Sequence, residues 1–213
     1  MKGPKTMFVC RECGATSIKW LGKCPDCASW NSFDEIEVAT ENKSAKSKSN
    51  SNKAEKFSEL SLPEYMRTGT GMNELDRVLG GGLVDGSVVL LSGEPGIGKS
   101  TLLLQICSEL SKKRKVLYVS GEESKGQLKL RAERLRIAGE SIYLLTETDV
   151  ESILNECERL TPNVIIIDSI QTMSSDRFTS AQGSVTQVRE SAAALIAYAK
   201  RCGAAVFLVG HIT

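Results

Sequence analysis

The stretch with the clearest chemical capacity is a glycine-rich loop that matches the phosphate-binding pattern G-x-x-x-x-G-K-[ST] at every fixed position. It consists of Gly93, Glu94, Pro95, Gly96, Ile97, Gly98, Lys99 and Ser100, with Thr101 directly after it. Glycines let backbone N–H groups approach a phosphate chain that Cβ atoms would obstruct. Lys99 would place its charge against the β- and γ-phosphates, and the Ser100 hydroxyl would bind Mg²⁺. The pattern predicts a nucleoside triphosphate site.

The segments on either side of the loop supply the elements that such a site needs. Residues 87–92 have the pattern of a buried strand entering the loop, and residues 101–107 that of an apolar helix leaving it. The phosphates would then meet a helix N-terminus, where unpaired N–H groups and the helix dipole favour negative charge. This context favours a binding site over a chance match in a glycine-rich turn.

Acidic side chains follow two other predicted strands. Asp168 closes the aliphatic run 164–167, where a carboxylate can hold Mg²⁺ through water, although an aspartate there also suits a plain turn. Glu122 and Glu123 follow the strand predicted over 116–120. One of them is suited to deprotonate the water that attacks the γ-phosphate. We favour Glu122, which lies closer to the strand end, as catalytic together with Lys99. Glu123 could instead complement a helix dipole.

Two further polar features lie near the same predicted edge of the sheet. His211 is the only histidine and directly follows the last predicted strand, where its side chain could sense the γ-phosphate. Residues 171–184 form a long polar stretch, and loops of this length in compact domains are usually functional or disordered. We expect this loop to face either the ligand or the centre of an assembly.

Near the N-terminus, two C-x-x-C pairs are separated by ten residues and contain Cys10, Cys13, Cys24 and Cys27. Four thiolates at this spacing suit tetrahedral Zn²⁺, and because all four positions are cysteine the site would be structural. A redox pair and two disulfides are the rival interpretations. So small a unit would draw its folding energy from the metal. Trp20, Trp30 and Phe33 are expected to form its small core, with stacking on nucleic-acid bases as the alternative.

Composition narrows the class of protein. The 213 residues carry 27 Lys and Arg against 26 Asp and Glu, so a nucleic-acid partner would have to be met by a local basic patch. There is no long apolar run for a membrane span and no apolar segment behind the charged N-terminus for a secretory signal. Seven cysteines, of which four are paired as metal ligands, suit a reducing compartment. We expect a cytoplasmic protein that does not contact membranes.

The chain divides into three parts. Residues 7–33 are the predicted zinc ribbon, 34–56 a flexible basic linker without large apolar residues from 40 onward, and 57–213 the main domain. In the main domain apolar strands alternate with amphipathic helices, which predicts an α/β fold with a mainly parallel sheet covered on both faces. The sequence stops directly after a strand, so we expect this domain to continue beyond Thr213.

Taken together, these motifs resemble the RecA-like ATPases, and more narrowly a bacterial DNA-repair branch of them. The matching segments are the four-cysteine ribbon and residues 75–82, 93–101, 118–124, 166–172 and 209–213. The resemblance implies a hexameric, ring-forming, DNA-dependent ATPase that uses ATP, Mg²⁺ and Zn²⁺. It implies a helicase of homologous recombination that drives branch migration on single-stranded and branched DNA alongside the RecA recombinase.

By position, the resemblance assigns nucleotide binding to residues 93–101, Mg²⁺ to Asp168, catalysis to Glu122 and Zn²⁺ to the four cysteines. Proteins of this branch also carry a Lys-Asn-Arg-Phe-Gly motif and a Lon-like domain after the ATPase strands. Neither is present in these residues, so assembly and the arginine finger stay unassigned. Two other functions fit the motifs: an ATP-dependent switch or phosphotransferase acting on a protein partner, and a non-enzymatic zinc adaptor. Hydrolysis stimulated by DNA separates the motor from both.

Overall fold

The computed structural model describes residues 5–38, 56, 67–137, 139–178 and 180–211. The first of these ranges is a small antiparallel sheet with strand order β2–β1–β3. Its strands are β1 (Lys5–Cys10), β2 (Thr16–Ser17) and β3 (Phe33–Val38). The pairing of β1 with β3 runs from Cys10 opposite Phe33 to Lys5 opposite Val38, so the ribbon extends past the expected 7–33 on both sides. Most of the expected linker lies outside the described residues, and its flexibility stays a prediction.

The main domain alternates helices and strands in the described ranges. Its elements are α1 (Asn73–Val78), β4 (Val88–Gly93), α2 (Lys99–Ser111), β5 (Val116–Ser120), α3 (Lys125–Arg134), β6 (Ile142–Thr146), α4 (Val150–Leu160), β7 (Val164–Asp168), a 3-10 helix (Ile170–Thr172), α5 (Val185–Cys202) and β8 (Ala205–His211).

Five strands form one sheet with order β4–β8–β7–β5–β6, and each neighbouring pair is parallel. Successive side chains of a strand point to opposite faces, and here both faces are apolar. Leu117, Ile165 and Val206 face the layer of α4 and α5. Tyr118, Ile166 and Phe207 face the layer of α2 and α3. The predicted α/β fold, with a parallel sheet covered on both faces and a preceding ribbon, is confirmed.

The ribbon contacts the first turns of α5. The Thr186 hydroxyl donates to the carbonyl oxygen of Cys10 at 3.4 Å, and the Arg189 guanidinium approaches the Gly14 carbonyl at 3.5 Å. Thr186 is buried by this contact. The ribbon therefore lies against the helix that follows the long polar loop.

Strand β4, which leads into the glycine-rich loop, is an edge strand of the five-stranded sheet in the described part of the chain. Its outward Leu90 is 65% exposed. Parallel pairing with β8 places Gly93 opposite His211, so the glycine-rich loop and the histidine both lie at the C-terminal ends of adjacent strands. Among the described residues, none of the helices is long and apolar enough to cross a membrane.

Candidate nucleotide site and zinc centre

The glycine-rich loop connects β4 to α2 and depends on glycine at two positions. Gly96 and Gly98 have φ values of 81° and 103°, a backbone region that residues with a Cβ rarely adopt. A Cβ built on either would meet no atom within 4 Å, so the loop backbone borders open space. Gly98 caps α2 without a side-chain hydrogen bond, which leaves the first N–H groups of the helix for an anion. This loop fits a phosphate chain.

Lys99 lies inside the loop as a buried cation, 8% exposed. Its ammonium donates to the carbonyl oxygens of Gly93 at 2.7 Å and Glu94 at 2.8 Å. No carboxylate of the described residues lies within 4.0 Å of it, although buried charges are normally paired with an opposite charge. Phosphate oxygens would supply the missing negative charge. Ser100 and Thr101 follow in the first turn of α2.

Asp168 ends β7 and accepts a hydrogen bond from the Tyr118 hydroxyl at 2.5 Å through its Oδ2. Burial, followed by the negative charge of Asp168, raises the pKa of Tyr118, so its phenol remains a donor. This contact orients the carboxylate at the strand end. Tyr118 was not among the predicted site residues, although a tyrosine within an otherwise apolar buried strand indicates a hydroxyl that needs a hydrogen-bond partner.

The two neighbouring glutamates have different partners. Glu122 accepts from the Ser169 hydroxyl at 2.9 Å through Oε1, and the same oxygen lies 3.6 Å from Nε2 of His211. Glu123 instead forms a 2.7 Å ion pair with Arg131 of α3. Glu122 is 54% exposed at the strand edge, whereas the charge of Glu123 is already balanced. The structure therefore brings Glu122, and not Glu123, together with the polar groups that follow β7 and β8.

His211 pairs with Gly93 in the sheet, lies 3.6 Å from Glu122 and is contacted by Gln171. The Gln171 side-chain amide donates to the His211 carbonyl oxygen at 3.3 Å. His211 Nδ1 and Gln171 Oε1 are both buried without a hydrogen-bond partner in the described part of the chain. Unpaired buried polar atoms are costly, and here they lie at the edge where the triphosphate fits. Sensing by His211 stays a prediction.

The polar loop after β7 is organised by a residue that sequence reasoning missed. The side chain of Gln187, 2% exposed, accepts from the backbone N–H of Ser175 at 2.9 Å. It also donates to the carbonyl oxygens of Ser175, Phe178 and Ser180 at 3.0 to 3.2 Å. Arg177 pairs with Glu151 at 3.0 Å. The described part of the loop is therefore held against the start of α5. No sequence pattern distinguishes Gln187 from an exposed helical glutamine.

The four ribbon cysteines converge on one point, with their sulfur atoms all within 4.8 Å of one another. Cys10 and Cys27 Sγ are 3.6 Å apart, and Cys13 and Cys24 Sγ are 3.5 Å apart. Tetrahedral Zn²⁺ with bonds of about 2.3 Å requires separations of about 3.8 Å, so the donors fit this ion. Hydrogen bonding from the side chain and backbone of Ser29 lowers the pKa of the Cys27 thiol to about 6. Despite a backbone hydrogen bond with Ala15, burial and hydrogen bonds with the other cysteines raise the pKa of Cys13 to about 12, and a bound metal ion would favour the thiolate form of both.

The prediction that three aromatic residues form the core of the ribbon is wrong for two of them. Phe33 is buried, 6% exposed, and packs with Cys10 and Cys24. Trp20 and Trp30 are 53% and 72% exposed and do not belong to that core. The metal-centred hairpins are too small to enclose three large aromatic side chains, so only Phe33 is covered.

Comparison with known proteins adds two family matches. An AAA domain model matches residues 70–213, and a rubredoxin metal binding domain model matches residues 8–35. The second match covers both cysteine pairs. Zn²⁺ binding by this ribbon is therefore supported by the family and by the geometry of the donors.

Several curated relatives are named DNA repair protein RadA. Those of Halalkalibacterium halodurans and Pseudomonas aeruginosa are 48% and 49% identical over 100% of this chain, and that of Campylobacter jejuni is 48% identical over 98%. The chain spans about half the length, 48%, of each of these relatives. The matched region includes both the ribbon and the main domain. The chain therefore belongs to the RecA-like ATPase family described by the AAA domain model.

Proposed function

We propose that this chain is the ribbon and ATP-hydrolysing core of a DNA-dependent ATPase of homologous recombination and DNA repair. ATP turnover would drive translocation on single-stranded DNA and branch migration of recombination intermediates. The observation that carries the proposal is the convergence of the glycine-rich loop, Asp168 and Glu122 at one edge of a parallel sheet. The name DNA repair protein shared by the relatives supports the biological setting.

Each residue has a definite part in the proposed chemistry. The backbone of residues 93–98 and the Lys99 ammonium bind the phosphates, and Ser100 and Asp168 hold Mg²⁺, which neutralises charge on the phosphate oxygens. Glu122, positioned by Ser169, accepts the proton of the attacking water. Tyr118 keeps Asp168 oriented. His211 lies next to Glu122 and would transmit the presence of the γ-phosphate toward the polar loop.

The partners that we propose are single-stranded and branched DNA, the RecA recombinase and further copies of the chain in a hexameric ring. The cytoplasm is the proposed compartment, because four zinc-binding thiolates need reducing conditions. A switch acting on a protein partner is the alternative, and it predicts hydrolysis that ignores DNA.

The test is ATP hydrolysis with and without single-stranded DNA, using three matched variants. Lys99→Ala should abolish both basal and stimulated turnover, since the buried charge that faces the phosphates is removed. Glu122→Gln should lower kcat by about 10²- to 10⁴-fold, the range for a positioned base, with little change in nucleotide affinity. Glu123→Gln is the control and should retain most activity. Equal losses in the two glutamine variants would refute the assignment of the base, and DNA-independent turnover would refute the motor.

A further inference from the structure

The zinc ribbon carries an exposed cluster that neither its metal centre nor its contact with α5 uses. We call it the aromatic face, and it consists of Ile18, Lys19, Trp20, Lys23 and Trp30. Ile18 is 87% exposed, Trp20 53% and Trp30 72%. Single exposed apolar residues are common, but three large ones between residues 18 and 30 of so small a unit indicate a binding surface.

Local structure fixes the two rings in place before any partner arrives. Lys23 and Trp30 form an antiparallel bridge, and the Lys23 ammonium lies 5.6 Å from the centroid of the Trp30 ring. The Asn31 N–H donates to the Gly22 carbonyl oxygen at 2.8 Å beside this bridge. The Trp20 ring lies over Gly22, where a built Cβ would be 3.7 Å from two ring carbons. Rings positioned in this way lose little freedom on binding.

Two lysines beside the rings favour a nucleic-acid partner for this face. Lys19 and Lys23 are exposed, and neither has a carboxylate within 4.0 Å among the described residues. Lysines are depleted at protein–protein interfaces, whereas aromatic rings beside cationic side chains are the usual surface for single-stranded nucleic acid. Bases of a duplex stay stacked on one another and cannot cover the tryptophan rings.

We propose that the aromatic face binds single-stranded DNA, with bases stacked on Trp20 and Trp30 and phosphates against Lys19 and Lys23. This inference deepens the proposed function and rests on it for the choice of DNA. It assigns to the ribbon a DNA contact of its own, separate from the nucleotide site.

The chain provides its own reporter for this contact. Its sequence contains only two tryptophans, and both lie on the aromatic face, so tryptophan emission reports on the ribbon alone. The zinc-loaded chain is titrated with an oligothymidine and, separately, with a duplex of equal length. We expect saturable quenching by the single strand and little by the duplex.

Single substitutions measure the contribution of each side chain to DNA affinity, which is determined from the fluorescence anisotropy of a labelled oligothymidine. Trp20→Ala and Trp30→Ala should each weaken binding roughly 5- to 150-fold, the range for one base–aromatic stack. Lys19→Ala and Lys23→Ala should each reduce the slope of log K against log salt by about 0.7. Tyr143→Ala and Lys113→Ala remove an exposed aromatic and an exposed lysine from the main domain and serve as matched controls.

The outcomes separate this inference from the proposed function. Tryptophan variants that keep wild-type zinc content and wild-type affinity would overturn the inference, as would equal quenching by duplex. DNA-stimulated hydrolysis without quenching would leave the motor standing and overturn the inference. Quenching without stimulated hydrolysis would support the inference and count against the motor.

Discussion

The ribbon and the main domain are stabilised in different ways. The hydrophobic cluster inside the described ribbon has only three buried members, Cys10, Cys24 and Phe33, and two of them are predicted metal ligands. The main domain packs apolar side chains on both faces of its sheet, with Ile165 and Ile166 at the centre of opposite layers. One unit therefore depends on a few bonds to an ion, and the other on a large buried apolar surface.

This difference shows why the ribbon can leave two tryptophans exposed. A unit held by metal does not need its aromatic residues for stability, because structural zinc contributes about 10–16 kcal/mol to such units. Its rings are then free to serve as a surface. In the main domain, by contrast, removal of large apolar side chains from the interior directly lowers the free energy of unfolding.

Removing zinc should have the largest effect, because it should unfold the ribbon and leave the main domain folded. A chelator, or Cys24→Ser, should unfold the ribbon and shift the tryptophan emission, while the far-UV circular dichroism of the helices is retained. The reason is that α1 to α5 all lie within 73–202, outside the ribbon. Fluorescence and circular dichroism recorded on the same sample test this. A cooperative loss of helix on chelation would show that the two units are stabilised together.

A substitution in the core of the main domain should destabilise that domain and leave the ribbon intact. Ile166→Ala, at a fully buried position of β7, should lower the free energy of unfolding by about 2–5 kcal/mol through lost burial and a residual cavity. Urea unfolding followed by circular dichroism measures the change. The stoichiometry of bound zinc serves as the control and should stay at one ion per chain. A parallel loss of zinc would contradict the separation of the two units.

Gln187→Ala tests whether this side chain holds the polar loop against the start of α5, the part of the main domain that lies beside the ribbon. The substitution removes four hydrogen bonds to the polar loop, at a cost of about 1–3 kcal/mol. The Ser175 N–H and the carbonyl oxygens of Phe178 and Ser180 lose this partner, whereas the Ser175 carbonyl oxygen still accepts from the Phe178 N–H. We expect faster hydrogen exchange at the Ser175 amide and little change in β5 or β7. Glutamate at this position keeps the acceptor and loses the donors, so it should give an intermediate effect. Unchanged exchange at Ser175 in the alanine variant would disprove the role of Gln187.

Removing one partner of a surface ion pair should change the stability of either region only slightly. Asp34→Ala in the ribbon removes the partner of Arg11, and Glu133→Ala in the main domain removes the partner of Lys129. Each should change stability by less than about 1 kcal/mol, because exposed pairs gain little over solvation. Thermal unfolding monitored by both probes measures this. A larger change from Asp34→Ala would mean that the ribbon depends on its surface charges as well as its metal.

Much of the architecture follows from local patterns. The aliphatic run before Asp168 and the alternation of apolar strands with helices predicted a parallel sheet covered on both faces, because such strands can be buried only in that way. The cysteine spacing likewise predicted a metal centre. These features depend on residues close together in sequence.

Other features depend on residues that only the fold brings together. The contacts of Tyr118 with Asp168 and of Ser169 with Glu122 join neighbouring strands and span more than forty residues of sequence. The exposure of Trp20 and Trp30 could not be predicted from composition. Aromatic side chains are usually buried, but a small unit stabilised by a metal ion can leave them exposed. The sequence favoured Glu122 over Glu123 only by its distance from the strand end, and the ion pair between Glu123 and Arg131 adds a structural reason.

The place of β4 at the edge of the sheet has a consequence for measurements in solution. Among the described residues no strand pairs with the outer side of β4, and an edge strand with an exposed leucine is a template for pairing with another chain. Copies of this chain that add edge to edge would raise the apparent mass without forming a ring. A mass alone therefore does not identify a hexamer. A lysine in place of Leu90 should abolish edge pairing, whereas closure of a ring through other surfaces should survive it.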